Sequence, residues 1–184
     1  MQPPNYIIRD ATSSDIPKCV AIDHSYSTDI VWQMNSFNDD GVWQISFRSG
    51  RLPRSIEVQR PTFALRLQQS LAPEQCFLIA TDQEDASTVL GYMIMHVDGV
   101  YRTATIYDLV VDRPLRQTGI ATRLLRIARQ WAQERDIQRI LAEVRTKNYP
   151  AIQFFQKNGL SFCGFNDQYL PAQDIAVFFG QTLR

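Results

Sequence analysis

Metal and disulfide chemistry have little to work with in this chain. It holds three cysteines, Cys19, Cys76 and Cys163, and two histidines, His24 and His96. The cysteines are odd in number and far apart, and no CxxC or Cys/His ligand spacing occurs. Neither a disulfide framework nor a metal site is expected, and a reducing, cytoplasmic setting fits. Charge of one sign is also missing in excess: Lys plus Arg number 19, Asp plus Glu number 19, and the formal net charge is zero. A neutral chain has no general attraction for nucleic acid or an anionic membrane, so neither is expected as a partner. No apolar run approaches the ~18 residues that mark a membrane-spanning helix. Residues 1–8 carry no basic stretch followed by an apolar run, so no signal peptide is expected. Internal repeats and low-complexity tracts are absent.

What is present is an ordinary globular composition over 184 residues, 45% hydrophobic and 21% charged, which suits one domain spanning 1–184. Residues 6–9 read as a strand. Thr12 or Ser13 then caps a helix of about three turns that ends near His24, with Pro17 tolerated in its first turn. Residues 30–34 and 42–47 are β-rich around the turn signal Asn38-Asp39-Asp40-Gly41 and predict a hairpin near residues 29–48. The stretch Arg51-Leu52-Pro53-Arg54 is expected to break it, with one further extended piece at 55–59. Residues 62–71 look helical. Strands follow at 76–80, 89–97 and 103–111. From Gly119 the period changes from two to 3.6, and Ile120, Leu124, Ile127, Ala128 and Trp131 fall on one helical face. A strand at 140–144, a helix at 150–157 stopped by Asn158-Gly159, and paired strands at 160–165 and 175–179 complete the chain. The order predicts an α/β (α+β) domain with one mixed central sheet flanked by helices and an inserted β-hairpin.

The most informative segment runs from Asp108 through Ala121. A strand leads into a turn, and a helix starts at a glycine, presenting unpaired backbone N–H groups and a partial positive charge. Such a helix start suits a pyrophosphate. Gly119 lets a phosphate approach the backbone, Ala121 keeps the second position small, and Arg116 adds a cation. Here the chain resembles the GNAT superfamily of acyl-CoA N-acyltransferases, whose pyrophosphate loop reads Arg/Gln-x-x-Gly-x-Gly/Ala. A second stretch, Asn148-Tyr149-Pro150-Ala151-Ile152-Gln153-Phe154-Phe155-Gln156-Lys157-Asn158-Gly159-Leu160, matches the family's Asn-x-x-Ala-x-x-Phe-Tyr-x-x-x-Gly-Phe signature at Asn148, Ala151, Phe154 and Gly159. The resemblance covers residues 75–182 well and 5–24 loosely, and leaves 25–60 unexplained. The tail from Asn148 through Phe179 is somewhat similar to streptothricin acetyltransferases and ribosomal-protein alanine acetyltransferases.

The resemblance implies acetyl-CoA as co-substrate, with no metal. It implies coenzyme contacts along Leu109, Val110 and Val111, around Arg116, Gln117, Thr118, Gly119, Ile120, Ala121 and Thr122, and at Asn148 and Phe155. It further implies direct transfer of acetyl to a primary amine of a small molecule or a protein N-terminus. That transfer requires a neutral amine. A lysine-like amine at pKa ~10.4 costs about 4.6 kcal/mol to neutralise at pH 7, an α-amine near ~7.8 only about 1 kcal/mol. The family commonly places a Tyr general acid where this chain has Phe155, which has no proton to give. Tyr149 or Tyr169 could take its place. Many members place an acidic residue on the strand before the loop. Thr105 and Tyr107 stand there, and Asp108 is the sole carboxylate in that strand. It is either a base or substrate residue, or a buried, hydrogen-bonded structural acid. Its side chain and that of Tyr107 should face opposite ways unless a bulge intervenes. In the family the 25–60 region forms the acceptor wall, so Tyr26, Trp32 and Trp43 are substrate candidates for a cationic amine. An equal alternative has the hairpin packing on the core or on a second subunit as a homodimer. A further alternative, motivated by Phe155 and the missing acids, is a catalytically weak acyl-CoA-binding module acting as sensor or partner.

Overall fold

The structure is a computed structural model and describes residues 5–168, 170 and 174–183. Among the described residues, nine strands and four α-helices follow one another: β1 (Tyr6–Asp10), α1 (Ile16–Ala21), β2 (Tyr26–Asp39), β3 (Val42–Val58), α2 (Ala64–Gln69), β4 (Cys76–Asp82), β5 (Val89–Asp98), β6 (Thr103–Val111), α3 (Ile120–Glu134), β7 (Arg139–Arg145), α4 (Tyr149–Lys157), β8 (Ser161–Asn166) and β9 (Ala176–Thr182). Strands hydrogen-bond in the order β1-β4-β5-β6-β7-β9-β8, while β2 and β3 pair with each other. This is the mixed, mostly antiparallel sheet with helices and an added hairpin that the sequence predicts. The chain packs as two compact units: Met1–Ser25, Gln59–Ala142 and Gly180–Arg184 in one, Tyr26–Val58 and Glu143–Phe179 in the other.

The first unit is built on β4, β5 and β6. Six consecutive residues of β4 and seven of β5 are buried, because both sheet faces are covered and neither side chain of the alternating pair meets water. On one face, Ile16, Cys19 and Ile22 from α1 and its exit and Leu67 from α2 pack on Phe77, Ile79, Tyr92, Ile94 and Val110. Helix α3 packs against β4, β5 and β6 through Ile120, Leu124, Leu125, Ala128 and Ala132, so the buried stripe takes in Leu125 and Ala132 beside the expected Leu124 and Ala128. Strands β1, β4, β5 and β6 pair antiparallel, whereas β6 and β7 run parallel from Thr103↔Arg139 to Ile106↔Ala142. A parallel pair needs a crossover, and α3 supplies it. The first helix is shorter than the sequence predicts: a 3-10 turn over Ser13–Asp15 precedes six α-helical residues. Asp15 holds that turn by accepting from Thr12 N at 2.8 Å and from two Arg9 nitrogens at 2.8 and 3.0 Å. The Arg9 hydrogen bonds lower its carboxyl to about 2.

In the second unit, the hairpin is longer than expected, covering Tyr26–Asp39 and Val42–Val58. Its turn residues Asp40 and Gly41 have φ of 44° and 82°, the two positive values of a type I′ turn. The expected break at 51–54 takes another form. Thr28 pairs with Ile56 and Ile30 with Arg51, leaving residues 52–55 without partners in β2 while β3 continues. Pro53 has no N–H for the ladder, so the strand bulges there instead of ending. The Trp32 ring meets Phe47, Phe162 and Phe179 at ring-centroid distances of 5.8, 6.0 and 5.8 Å, and the Trp32 backbone N–H donates to Thr146 O at 2.9 Å.

Gly91 carries the tightest backbone approach in the first unit. A Cβ there would lie 2.7 Å from Val110 O and 3.2 Å from Val111 Cα. Gly91→Ala must therefore push β5 from β6 and should lower unfolding free energy by roughly 1–3 kcal/mol. Urea denaturation checks this; an unchanged midpoint would mean that the two strands separate without cost.

Candidate functional site

Strand β6 carries a second buried carboxylate of the first unit, in addition to Asp15. Ile94 pairs with Asp108 but Met95 with Ile106, so Tyr107 is the extra residue of a β-bulge. The bulge turns Tyr107 outward to 42% exposure, while Asp108 stays buried at 2%. An ionised carboxylate there would be costly without partners. It has two: Arg66 Nη2 bonds Asp108 Oδ2, and Arg60 Nη2 lies 3.3 Å from Oδ1. Burial nonetheless pushes the Asp108 carboxyl up, and Arg60 and Arg66 pull it back. Arg66 also donates to Thr62 Oγ1 at 3.3 Å and lies 4.9 Å from the Tyr107 ring centroid. His96 stacks beneath Tyr107 at 4.2 Å, with Nε2 3.0 Å from Ser70 Oγ. His24 Nε2 lies 2.8 Å from Tyr92 Oη. Burial lowers both imidazoles below their ordinary value and raises the Tyr92 phenol.

Where β6 ends, the chain turns over Arg113–Leu115, with Asp112 accepting from Arg113 N at 3.0 Å. Arg116 follows, and its guanidinium makes three bonds to backbone carbonyls: Nε to Val111 O at 3.0 Å, Nη1 to Ser25 O at 2.6 Å and Nη2 to Asp23 O at 2.7 Å. Arg116 thus braces the loop as well as charging it. Gln117 and Gly119 have φ of 65° and 93°, a left-handed conformation that a non-glycine such as Gln117 adopts only at a cost. Thr118 Oγ1 closes the turn on Leu115 O at 2.6 Å. Helix α3 starts at Gly119 with no side-chain cap, and nothing lies within 4 Å of where a Gly119 Cβ would be. The N–H groups of Ile120, Ala121 and Thr122 therefore head an open helix end. That end, the alternating backbone and the nearby Arg116 form a cradle for an anion, and pyrophosphate fits it in charge.

The second unit holds the other candidates. Asn148 caps α4, its Oδ1 accepting from Ala151 N at 3.2 Å. Tyr149 Oη accepts from Gln153 Nε2 at 3.0 Å, which leaves its own hydroxyl proton to donate. Phe155 is buried and packs edge-on against Phe154 at 5.3 Å. Tyr26 opens β2. Trp32 sits in the aromatic cluster, and Trp43 lies beside the hairpin turn at 67% exposure. Asp29, an acid that could draw a cationic ligand to the hairpin, faces Arg51 at 3.0 Å. Tyr169 lies outside the described residues. The structure thus brings Asp108, Leu109, Val110, Val111 and residues 116–122 together on one strand and the loop after it, and puts Asn148, Tyr149, Phe155 and the hairpin residues in the other unit. Sequence reasoning missed Arg60, Arg66 and Ser70. They are 26 to 48 residues from their partners, and no local pattern announces them.

The profile described as the Acetyltransferase (GNAT) family matches residues 41–160. No curated protein sequence matches the chain. Among solved structures, nourseothricin acetyltransferase superposes with a TM-score of 0.83 at 21% identity, over 97% of this chain and 99% of that one. A protein assigned as a streptothricin acetyltransferase from Bacillus anthracis str. Ames, solved with acetyl coenzyme A, gives 0.78 at 21% identity over 100% of both chains. The ribosomal-protein-S18-alanine N-acetyltransferase from Escherichia coli gives 0.68 at 15% identity, over 97% of this chain and 94% of that one.

If the Arg116 brace holds the loop, Arg116→Ala should lower unfolding free energy by about 2 kcal/mol or more, since it removes three charge-assisted hydrogen bonds and leaves their acceptors to find others. Denaturant titration measures it, and a loss below the error of the method would show that the carbonyls are satisfied without the guanidinium.

Proposed function

The chain belongs to the GNAT family of acetyltransferases, and from that premise we propose that it is an acetyl-CoA-dependent N-acetyltransferase whose acceptor is a primary amine of a small molecule or a protein N-terminus. The observation that carries this reading is the open, uncapped start of α3 behind Gly119, in a loop braced by Arg116. Its backbone N–H groups fit the coenzyme's pyrophosphate. Residues 116–122 would hold the phosphates, and the β6 backbone from Leu109 to Val111 would pair with the acyl arm. When bound, the coenzyme supplies an activated acetyl thioester.

Two proton problems then fall to the protein. The amine must arrive neutral, and the departing sulfur needs a proton or a stabilising field. Asp108 is the carboxylate nearest the β6 backbone that leads into the loop, but both its oxygens face arginine. Its part is to hold Arg60 and Arg66, and deprotonation of the amine goes to water. Tyr149 is the proposed proton donor, since Gln153 occupies its oxygen and leaves its hydrogen. Phe155, which has no proton to give, favours the second reading, a catalytically weak acyl-CoA-binding module acting as sensor or partner.

The experiment is a transfer assay with acetyl-CoA against small amines and peptide N-termini, beside calorimetric binding of acetyl-CoA. Gly119→Asp adds a carboxylate at the phosphate cradle and a side chain at φ of 93°. It should weaken acetyl-CoA by at least about ten-fold, equivalent to ~1.4 kcal/mol. Unchanged affinity in folded protein would reject the cradle. Binding without transfer to any amine would favour the module.

Phe155→Tyr is a second test. Its added hydroxyl enters a buried site and should cost about 1–3 kcal/mol of stability if it finds no partner. Single-turnover transfer should change by less than roughly threefold, well short of the ~10²-fold of an effective general acid. A hundredfold gain would instead make thiolate departure the limiting step.

A further inference from the structure

Asp108 is unusual among the first unit's ion pairs. Among the described residues, Asp15 faces Arg9 and Asp136 faces Arg102, one cation to each carboxylate. Asp108 faces two, Arg60 and Arg66. One bidentate guanidinium would be enough to satisfy a buried carboxylate, so the pair leaves one positive charge in excess. His24 and His96 cannot offset it, since an imidazole carries no negative charge, and burial lowers both rings below their ordinary value.

The excess charge is also accessible. The Arg60 side chain is 47% exposed. Its Nη2 serves both Asp108 Oδ1 at 3.3 Å and Tyr107 O at 3.5 Å, while Nε and Nη1 bond nothing among the described residues. Tyr107 O belongs to the bulge, two positions before Leu109, where β6 is proposed to meet the acyl arm. An arginine anchored through one nitrogen, with its remaining donors toward solvent, is prearranged for a second carboxylate, because the fork geometry is set before the ligand arrives. A polycationic amine would meet a net positive charge at the same place.

We propose that Arg60, set in place by Asp108 and supported by Arg66, binds a carboxylate carried by the acceptor, so that the acceptor is a small amine bearing an acid group, such as a free amino acid. This rests on the acetyl-transfer reading above and narrows its acceptor to one chemical class. The reaction is unchanged. The amine nitrogen forms a bond to the acetyl carbon, the carbon–sulfur bond breaks, and one proton passes from nitrogen to solvent as the thiolate takes another.

The test compares kcat/KM for free amino acids with that for the matching carboxamides, which differ only in the anion, using the whole protein and acetyl-CoA. The carboxylate form should be preferred by about ten-fold or more, the size of a lost charge-assisted hydrogen bond. Arg60→Gln should bring the ratio close to one, and Arg60→Lys, which keeps the charge but not the fork, should keep part of it. Thermal denaturation of each variant establishes that it is folded. Equal rates for acids and amides, a preference for polycationic amines, or a preference that survives Arg60→Gln overturns the proposal. So does a peptide with an acidic second residue outpacing free amino acids. If nothing is acetylated although acetyl-CoA binds, the transfer reading fails by itself. Calorimetry with the amino acids in the presence of coenzyme A then decides the subsite: Arg60-dependent heat supports it, and no heat overturns it.

Discussion

Arg116 stands where β6 has ended and α3 has not begun, and its three nitrogens take the carbonyls of Val111, Ser25 and Asp23. Val111 ends β6, while Asp23 and Ser25 lie in the segment between α1 and β2, and a carbonyl without a ladder or helix partner must find another. One planar, permanently charged group satisfies all three and ties the segment after α1 to the end of β6. The position of the next three residues follows from that tie. Gln117 and Gly119 can hold left-handed conformations because their neighbours are fixed, and the strain of Gln117 is carried by the brace behind it. The helix that results begins in open space, and this makes it available to an anion.

A second constraint acts nine residues before Arg116. Strand β6 carries its bulge at Tyr107, whose ring is exposed while the carboxylate of Asp108 beside it is buried. The extra residue also locally breaks the ladder with β5. Arg60 and Arg66 partner the buried carboxylate from the segment around α2, and Arg66 is further held by Thr62 Oγ1 and Arg60 by Tyr107 O. The polar cluster is therefore mutual: Asp108 helps to order the cations, and the cations oppose the upward push of burial on its carboxyl.

The hairpin follows different physics. Its base is stabilised by aromatic packing around Trp32, with Phe47 in turn 5.4 Å from Phe162 and 5.5 Å from Phe165. Its tip has only the ladder and a type I′ turn, and exposes Phe37, Val42 and Trp43. The two tryptophans that look equivalent in the sequence thus differ in kind, one a packing residue and the other a surface residue.

What the sequence by itself determined was whatever depends on near neighbours. The unbroken apolar runs in β4 and β5 required covering on both faces. The change to a 3.6 period at Gly119 placed α3, and Asp40-Gly41 placed the hairpin turn, since backbone φ preferences act within a residue or two. The loop around Gly119 was legible for the same reason. Only the tertiary structure decided which charges meet. Asp108 is 42 residues from Arg66, and Arg116 is 91 and 93 residues from Ser25 and Asp23. A hydrogen bond is set by distances of a few ångströms between atoms whose separation along the chain carries no periodic signal. The sequence could therefore show that Asp108 needed a partner, and the fold had to supply two.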